Sequence, residues 1–204
     1  MASTAAEPTF ELSRHLLGET ADLRERFERN PLFSRVFADM VEARAYRRLL
    51  VAFHGYYDLL ETLIRGHQGR TLCDFAELNL NKTAWLERDL SHLETSPAAP
   101  APLAHLPRIR NRVEATGASF VTEYIAWHAE VAEKHLKLAL PRDCIDAVHF
   151  VSAYGKSREM QWQRFCLYLD SQEWSMKERE EMTRTAQKTL AGMDAWLRDT
   201  IQET

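Results

Sequence analysis

Residues 117–136 read GASFVTEYIAWHAEVAEKHL, and this stretch gives the clearest indication of the fold class. Its apolar side chains recur every three to four positions, which is the period of an α-helix with one buried face. The same spacing continues on both sides, so we predict a helix from about residue 110 to residue 140, where Pro141 ends it. The shared face holds Val113, Gly117, Phe120, Tyr124, Trp127, Val131, His135 and Leu138.

Helical spacing also covers most of the remaining chain. We predict a first helix over residues 12–27, a second with its apolar face over residues 46–64, and a third over about 74–93. The last helix opens on Ser175 followed three residues later by Glu178, which is a capping-box pattern. Its predicted inward face holds Met182, Ala186, Leu190, Met193 and Leu197. The expected fold is an all-α helical bundle.

Length and composition fit one globular domain. The chain has 204 residues, of which 45% are hydrophobic and 27% charged, a mixture that excludes disordered and collagen-like proteins. Seven glycines and seven prolines are too few for the many tight turns of an all-β fold. Residues 96–107 read SPAAPAPLAHLP, which predicts an extended connector inside a single domain spanning 1–204, with residues 1–9 flexible.

The charge balance and the cysteines exclude several classes of protein. The net charge of −4 and the pI of about 6.1 argue against a nucleic-acid-binding protein, which usually carries a basic surface. No run of eighteen apolar residues predicts a membrane span, and the first residues do not resemble a signal peptide. Cys73, Cys144 and Cys166 are odd in number and far apart, which fits a reducing compartment. We therefore expect a cytoplasmic protein.

The order of several phrases resembles the haem oxygenase superfamily in its bacterial branch. The similar phrases are GETADLRERFERNPLF in the first helix, YRRLLVAFHGYYDLLE over residues 46–61, WLERDLSHL over 85–93, GASFVTEYIAWHAEVAEKHL over 117–136 and AYGKSREMQWQRFCLYLD over 153–170. The resemblance covers the chain from about Leu12 to Leu197. It implies a haem-oxygenase-like bundle, with haem as cofactor and oxygen-dependent opening of haem to biliverdin, carbon monoxide and iron as the family's reaction.

Two features on which the family's chemistry depends differ in this sequence. Arg24 stands where the resemblance places the helix-one histidine that binds haem iron, and a guanidinium has no lone pair to offer a metal. It can instead pair with a carboxylate or with an anionic group of a ligand. Tyr124, His128 and Ala129 stand where the family has three glycines in its distal helix. We expect these side chains to fill much of the pocket and to remove the reason for that helix to bend.

These differences lead to a first hypothesis: a haem-oxygenase-like protein without the standard haem site, with a binding or regulatory role exerted through a protein partner. Pairing of exposed helix faces into a homodimer is compatible with the sequence. The first alternative is a divergent haem oxygenase in which another imidazole, that of His128, binds the haem iron. The opposing interpretation of His128 is a histidine that plugs the pocket and bonds to Glu123 or Tyr124.

A second alternative is a non-haem di-metal oxygenase on the same scaffold. Such sites use carboxylates and histidines that share helix faces. The candidate groups are Asp89 with His92, Asp146 with His149, and Glu130 and Glu133 with His135. The members of the last group do not share one face well, and His92 lies next to the proline-rich connector. We therefore rank this alternative below the other two.

Overall fold

The structure is a computed structural model that describes residues 11–37, 39, 41–67, 81–97 and 99–202. Within these residues, nine α-helices form the fold and no strand is present. The helices are α1 (Leu12–Glu19), α2 (Ala21–Glu28), α3 (Pro31–Val36), α4 (Ala43–His67), α5 (Lys82–His92), α6 (Arg112–His128), α7 (Glu130–Ala139), α8 (Arg158–Ser171) and α9 (Met176–Gln202). The all-α prediction is confirmed. The expected flexibility of residues 1–9 and the predicted helix before residue 81 lie outside the described residues.

The two longest helices bury the faces that their apolar period predicts. Helix α9 packs along α6 and also contacts α2 and α4, while α4 packs against α5 and α6. The buried residues of α9 include Met182, Ala186, Leu190, Met193 and Leu197. Those of α4 include Tyr46, Leu49, Phe53, Tyr57, Leu60 and Ile64. One hydrophobic core joins all these helices. None of the helices described is long and apolar enough to span a bilayer.

The first predicted helix is wrong as a single element, because it is divided at Thr20 into α1 and α2. The Thr20 side chain is fully buried, and its hydroxyl donates to the carbonyl oxygen of Leu16 at 2.7 Å. A buried threonine that bonds to its own preceding turn is a known cause of helix bending. Helix α2 then ends at Glu28, and Pro31 begins α3 with Asn30 as its N-cap.

The prediction of one helix from residue 110 to residue 140 is also wrong. Helix α6 ends at His128, and α7 begins at Glu130, so Ala129 separates the two helices. Before the break the predicted inward residues are buried, Phe120 and Tyr124 among them. After the break Val131 and Leu138 are 70% and 89% exposed, so the predicted inward face does not continue into α7.

The proline-rich connector crosses α4 and α9. Its residues 103–105 form one 3-10 turn, and the Ala101 amide donates to the Gly55 carbonyl of α4 at 2.9 Å. Ala101 is buried. The backbone of this segment thus contributes to the same packing as the helices it connects.

The capping box at the start of α9 is confirmed. The Ser175 amide and hydroxyl both bond to the Glu178 carboxylate, at 2.9 and 2.7 Å. The Glu178 amide donates in return to the Ser175 hydroxyl at 3.3 Å.

We expect Ser175→Ala to lower the free energy of unfolding by about 1 kcal/mol, because it removes the oxygen that caps the first turn of α9. Urea denaturation of the variant and the parent measures this difference. Ser34→Ala is the control, since Ser34 is exposed and bonds only to the Pro31 carbonyl of its own short helix. An equal effect of the two substitutions would contradict the assigned role of the cap.

Candidate ligand-binding site

A cavity of about 310 Å³ lies between α2, α4, α6 and α7. The structure places Arg24, Tyr124, His128 and Ala129, the four residues singled out from the sequence, in its wall. The rest of the wall is mainly apolar, with Phe27, Phe33, Leu49, Phe53, Leu136, Phe150 and Val151 among its residues. The volume lies at the lower end of the range for small-molecule sites. A cavity is therefore present with these four side chains in its wall.

Arg24 connects the first two helices to α6. One terminal nitrogen donates to the Tyr124 hydroxyl at 2.9 Å, and the other donates to the Leu17 carbonyl at 2.8 Å. The Leu17 carbonyl is free for this bond because α1 ends at Glu19, and the last carbonyls of a helix lack intrahelical partners. The guanidinium carbon lies 4.7 Å from the centre of the Tyr124 ring. The division at Thr20 thus helps to fix Arg24 against α6.

The Arg24 guanidinium has no ion-pair partner among the residues of the described ranges. Its Nε atom is buried and makes no hydrogen bond. The expected partner, a carboxylate of the protein, is therefore not what holds Arg24. Its two hydrogen bonds go to the neutral oxygens of Tyr124 and Leu17, although the carboxylate of Glu28 also lines the cavity.

His128 lies beside Tyr124, with the two rings stacked at a centroid distance of 5.4 Å. Its Nε2 atom is 3.4 Å from a Glu28 carboxylate oxygen, and about half of the His128 side chain is exposed. The carboxylate next to His128 is therefore Glu28 of α2, not Glu123 as one sequence interpretation suggested. This imidazole lies at the edge of the cavity instead of plugging its interior.

Ala129 stands between α6 and α7, so the break in the distal helix is present without any glycine there. The expectation that the substitutions remove the bend is wrong. Glu133 offers a physical reason, because its carboxylate accepts hydrogen bonds from Ser152, Arg158 and Lys137. Burial acts to raise the pKa of Glu133, but the bonds from Lys137, Arg158 and Ser152 outweigh it, so the pKa lies below its ordinary value. This anchored carboxylate ties α7 to Ser152 and to Arg158 of α8.

A buried charged network includes Glu123 of α6. Lys82 is 1% exposed and bonds through its ammonium group to the carboxylate of Glu123, which is 3% exposed. Tyr154 accepts from Lys82 at 3.0 Å and donates to Glu123 at 2.9 Å. Burial, followed by the charge of Glu123, raises the pKa of Tyr154 well above its ordinary value, so the phenol stays protonated. Sequence inspection missed this network because its members lie far apart along the chain.

The candidate metal groups do not form metal sites in the described part of the chain, where no cluster of three or more histidine, cysteine or acidic residues could hold an ion. Asp89 is close to His149, with 2.8 Å between a carboxylate oxygen and Nδ1, and His92 stacks on His149. However, the Asp89 carboxylate also accepts the backbone amides of His149 and Phe150, at 2.7 and 2.9 Å. The Asp89 carboxylate therefore fixes the loop after α7, and few of its lone pairs remain for binding a metal ion.

The two described cysteines are free thiols without the properties of a nucleophile. Burial raises the pKa of Cys166 to about 11 and also raises the pKa of Cys144. A reactive cysteine has a lowered pKa, because the thiolate is the nucleophile. Both thiols therefore remain protonated at neutral pH.

Comparison with known proteins shows which class of protein has this fold. In a crystal structure of the NO- and CO-bound heme oxygenase from Neisseria meningitidis the fold is similar, with a TM-score of 0.77 at 15% sequence identity. The match covers 94% of this chain and 92% of that one, so the whole bundle is of the haem oxygenase type.

The family model described as Heme oxygenase matches residues 10–199. This chain therefore belongs to the haem oxygenase family, as its phrases indicated. No curated protein matches the sequence.

Proposed function

We propose that this protein is a binding or regulatory member of the haem oxygenase family that does not degrade haem by the family's usual route. The observation that carries the proposal is the 2.9 Å hydrogen bond between Arg24 and Tyr124, which directly joins α2 to α6. In the family resemblance these two positions lie on opposite faces of the haem. A bond between them occupies the space that a bound macrocycle would need.

The residues of the wall fit haem poorly for two further reasons. Non-bonded carbon atoms pack at about 3.5–4.0 Å, so a flat ring between two helices needs that distance on each face. The Arg24–Tyr124 pair leaves no such gap. The second reason is the chemistry of the donor, because a guanidinium at position 24 cannot bind iron. Haem binding would require Arg24 and Tyr124 to separate and another side chain to supply the iron ligand.

The alternative of a divergent haem oxygenase rests on one observation. His128 is the imidazole among the described residues of the cavity wall, and it is accessible from the mouth. A relocated iron ligand there makes a definite prediction, namely that haem binds to the parent and is lost on His128→Ala. The two proposals are therefore distinguished by a single titration.

We expect the purified protein to form no tight one-to-one complex with haem, because the Arg24–Tyr124 bond closes the position of the ring and no axial histidine is present on α2. Absorption titration that follows the Soret band measures this. We further expect haem binding to appear in a variant combining Arg24→His with Tyr124→Gly, His128→Gly and Ala129→Gly. This variant restores the histidine that binds the haem iron in the family and the three glycines of the distal helix.

The control for the restored variant carries the three glycines but keeps Arg24. This control has room for the haem but lacks the histidine that would bind its iron, so we expect weaker haem binding and a Soret band at a different wavelength. A tight complex of the parent that is lost on His128→Ala would refute the proposal and support the divergent oxygenase.

A further inference from the structure

At the Arg24 end of the cavity, Arg24 and Tyr124 offer hydrogen-bond donors that no carboxylate of the described residues accepts. Arg24 donates to the Tyr124 hydroxyl, so the oxygen of Tyr124 is used as an acceptor and its own proton remains available. Within the described ranges no acceptor for that proton is found, and no carboxylate pairs with Arg24. A guanidinium and a hydroxyl that bond to each other can donate together to one additional oxygen atom.

The other polar groups of the wall limit the charge of a ligand. Glu28 contributes a carboxylate to the wall, 3.4 Å from the Nε2 atom of His128. A second negative charge on the ligand would approach this carboxylate without a further unpaired cation to meet it. The cavity therefore favours a ligand with one negative charge at the Arg24 end.

The rest of the cavity wall favours a ligand whose apolar part is of limited size. Beyond Arg24 the cavity is lined by Phe27, Phe33, Phe53, Leu136, Phe150 and Val151. At about 30 Å³ for each water molecule in the liquid, its 310 Å³ correspond to about ten water-sized groups. An unbranched chain of similar size fits this space, and its burial releases water from aromatic and aliphatic surfaces.

We propose that the cavity binds a medium-chain apolar carboxylic acid, with the carboxylate on Arg24 and the Tyr124 hydroxyl and the hydrocarbon chain among the phenylalanines. This inference rests on the proposed function, because it requires the Arg24–Tyr124 pair to remain intact. The pair is then the head-group site of the ligand and not a remnant of the haem site.

The probe is decanoate, and the matched neutral probe is 1-decanol, both titrated by calorimetry below the concentrations at which they self-associate. We expect decanoate to bind at least tenfold more tightly than decanol, since only decanoate has a charged acceptor. Arg24→Gln should weaken decanoate binding about tenfold and leave decanol binding unchanged. Tyr124→Phe, which removes one donor and keeps the ring, should weaken decanoate binding by a smaller factor.

The control variant is Arg29→Gln, which removes the same charge at an exposed arginine that pairs with Glu25 outside the cavity. We expect no change in decanoate affinity. Equal affinity for the two probes, or an unchanged affinity for decanoate in both Arg24→Gln and Tyr124→Phe, would overturn the inference. Failure of decanoate to bind, with no haem complex either, removes this inference alone, whereas a tight parent–haem complex removes the proposed function.

Discussion

Lys82→Met is expected to lower the free energy of unfolding by about 3–5 kcal/mol, the range for removing one partner of a buried ion pair. Lys82 and Glu123 are 1% and 3% exposed, and the ammonium group is the cation that meets the Glu123 carboxylate. Methionine has a similar length and can fill the space of the lysine stem. The expected loss is therefore due to the buried carboxylate that remains without its cation, and not to an empty cavity.

Lys134→Met is the matched control, because Lys134 also pairs with a glutamate but on the surface. Its side chain is 74% exposed and bonds to Glu130 one turn earlier. An exposed pair of this kind contributes about 0–1 kcal/mol. Urea denaturation of both variants measures the difference, and similar losses for the two substitutions would contradict the assigned role of the buried pair.

The double variant Lys82→Met with Glu123→Gln shows how much of the stability loss is due to the unpaired charge and how much to altered packing. If the loss in Lys82→Met comes from the unpaired carboxylate, neutralising Glu123 as well should recover part of the stability. Purely additive losses would show that the two side chains act independently.

The helices with an uninterrupted apolar period could be predicted from the sequence. In α4 and α9 the buried apolar residues recur at three to four positions over about four to five turns, and packing requires one buried face per helix. The inward residues from Tyr46 to Ile64 and from Met182 to Leu197 are accordingly buried. Local pattern and tertiary environment agree in these helices, so the sequence pattern was sufficient.

The two helix breaks could not be predicted from the local sequence, because they occur beside contacts between residues that are far apart along the chain. No glycine or proline stands at Thr20 or Ala129. Near the first break, Arg24 bonds to the Leu17 carbonyl and to Tyr124, 100 residues further along the chain. Near the second, Glu133 bonds to Arg158 of α8. A periodicity analysis compares neighbours in sequence and contains no information on such pairs.

The candidate site was accessible to sequence analysis only through the family resemblance. Arg24 and Tyr124 share no motif, and their proximity follows from aligning two helices with the family's phrases. The direction of each side chain was not predictable. Whether Tyr124 fills the cavity or turns toward Arg24 depends on the hydrogen bond between them, and whether His128 faces the interior depends on Glu28 at the rim.

The second large effect is expected at two glycines where backbones approach closely. Added Cβ atoms would lie 1.8 Å from the His105 carbonyl oxygen at Gly192, and 2.4 Å from the Met182 carbonyl oxygen at Gly117. Gly192 is where α9 meets the connector, and Gly117 is where α6 meets α9. Since both obstacles are backbone atoms, the segments must move apart, and we expect Gly192→Ala and Gly117→Ala each to cost about 2–3 kcal/mol or more.

A loss of stability in Gly192→Ala and Gly117→Ala would be opposite in sign to the usual effect of this replacement in a helix. In an ordinary helix, replacing glycine by alanine stabilises by up to about 1 kcal/mol, because alanine loses less backbone entropy on folding. Gly18 in α1 and Gly66 in α4 have nothing within 4 Å of an added Cβ, so Gly18→Ala and Gly66→Ala should be neutral or stabilising. Thermal and urea denaturation of the four variants measures all of them on one scale. Stabilisation by Gly192→Ala would mean that the connector does not rest on α9, and that the cavity-bearing bundle is held together differently.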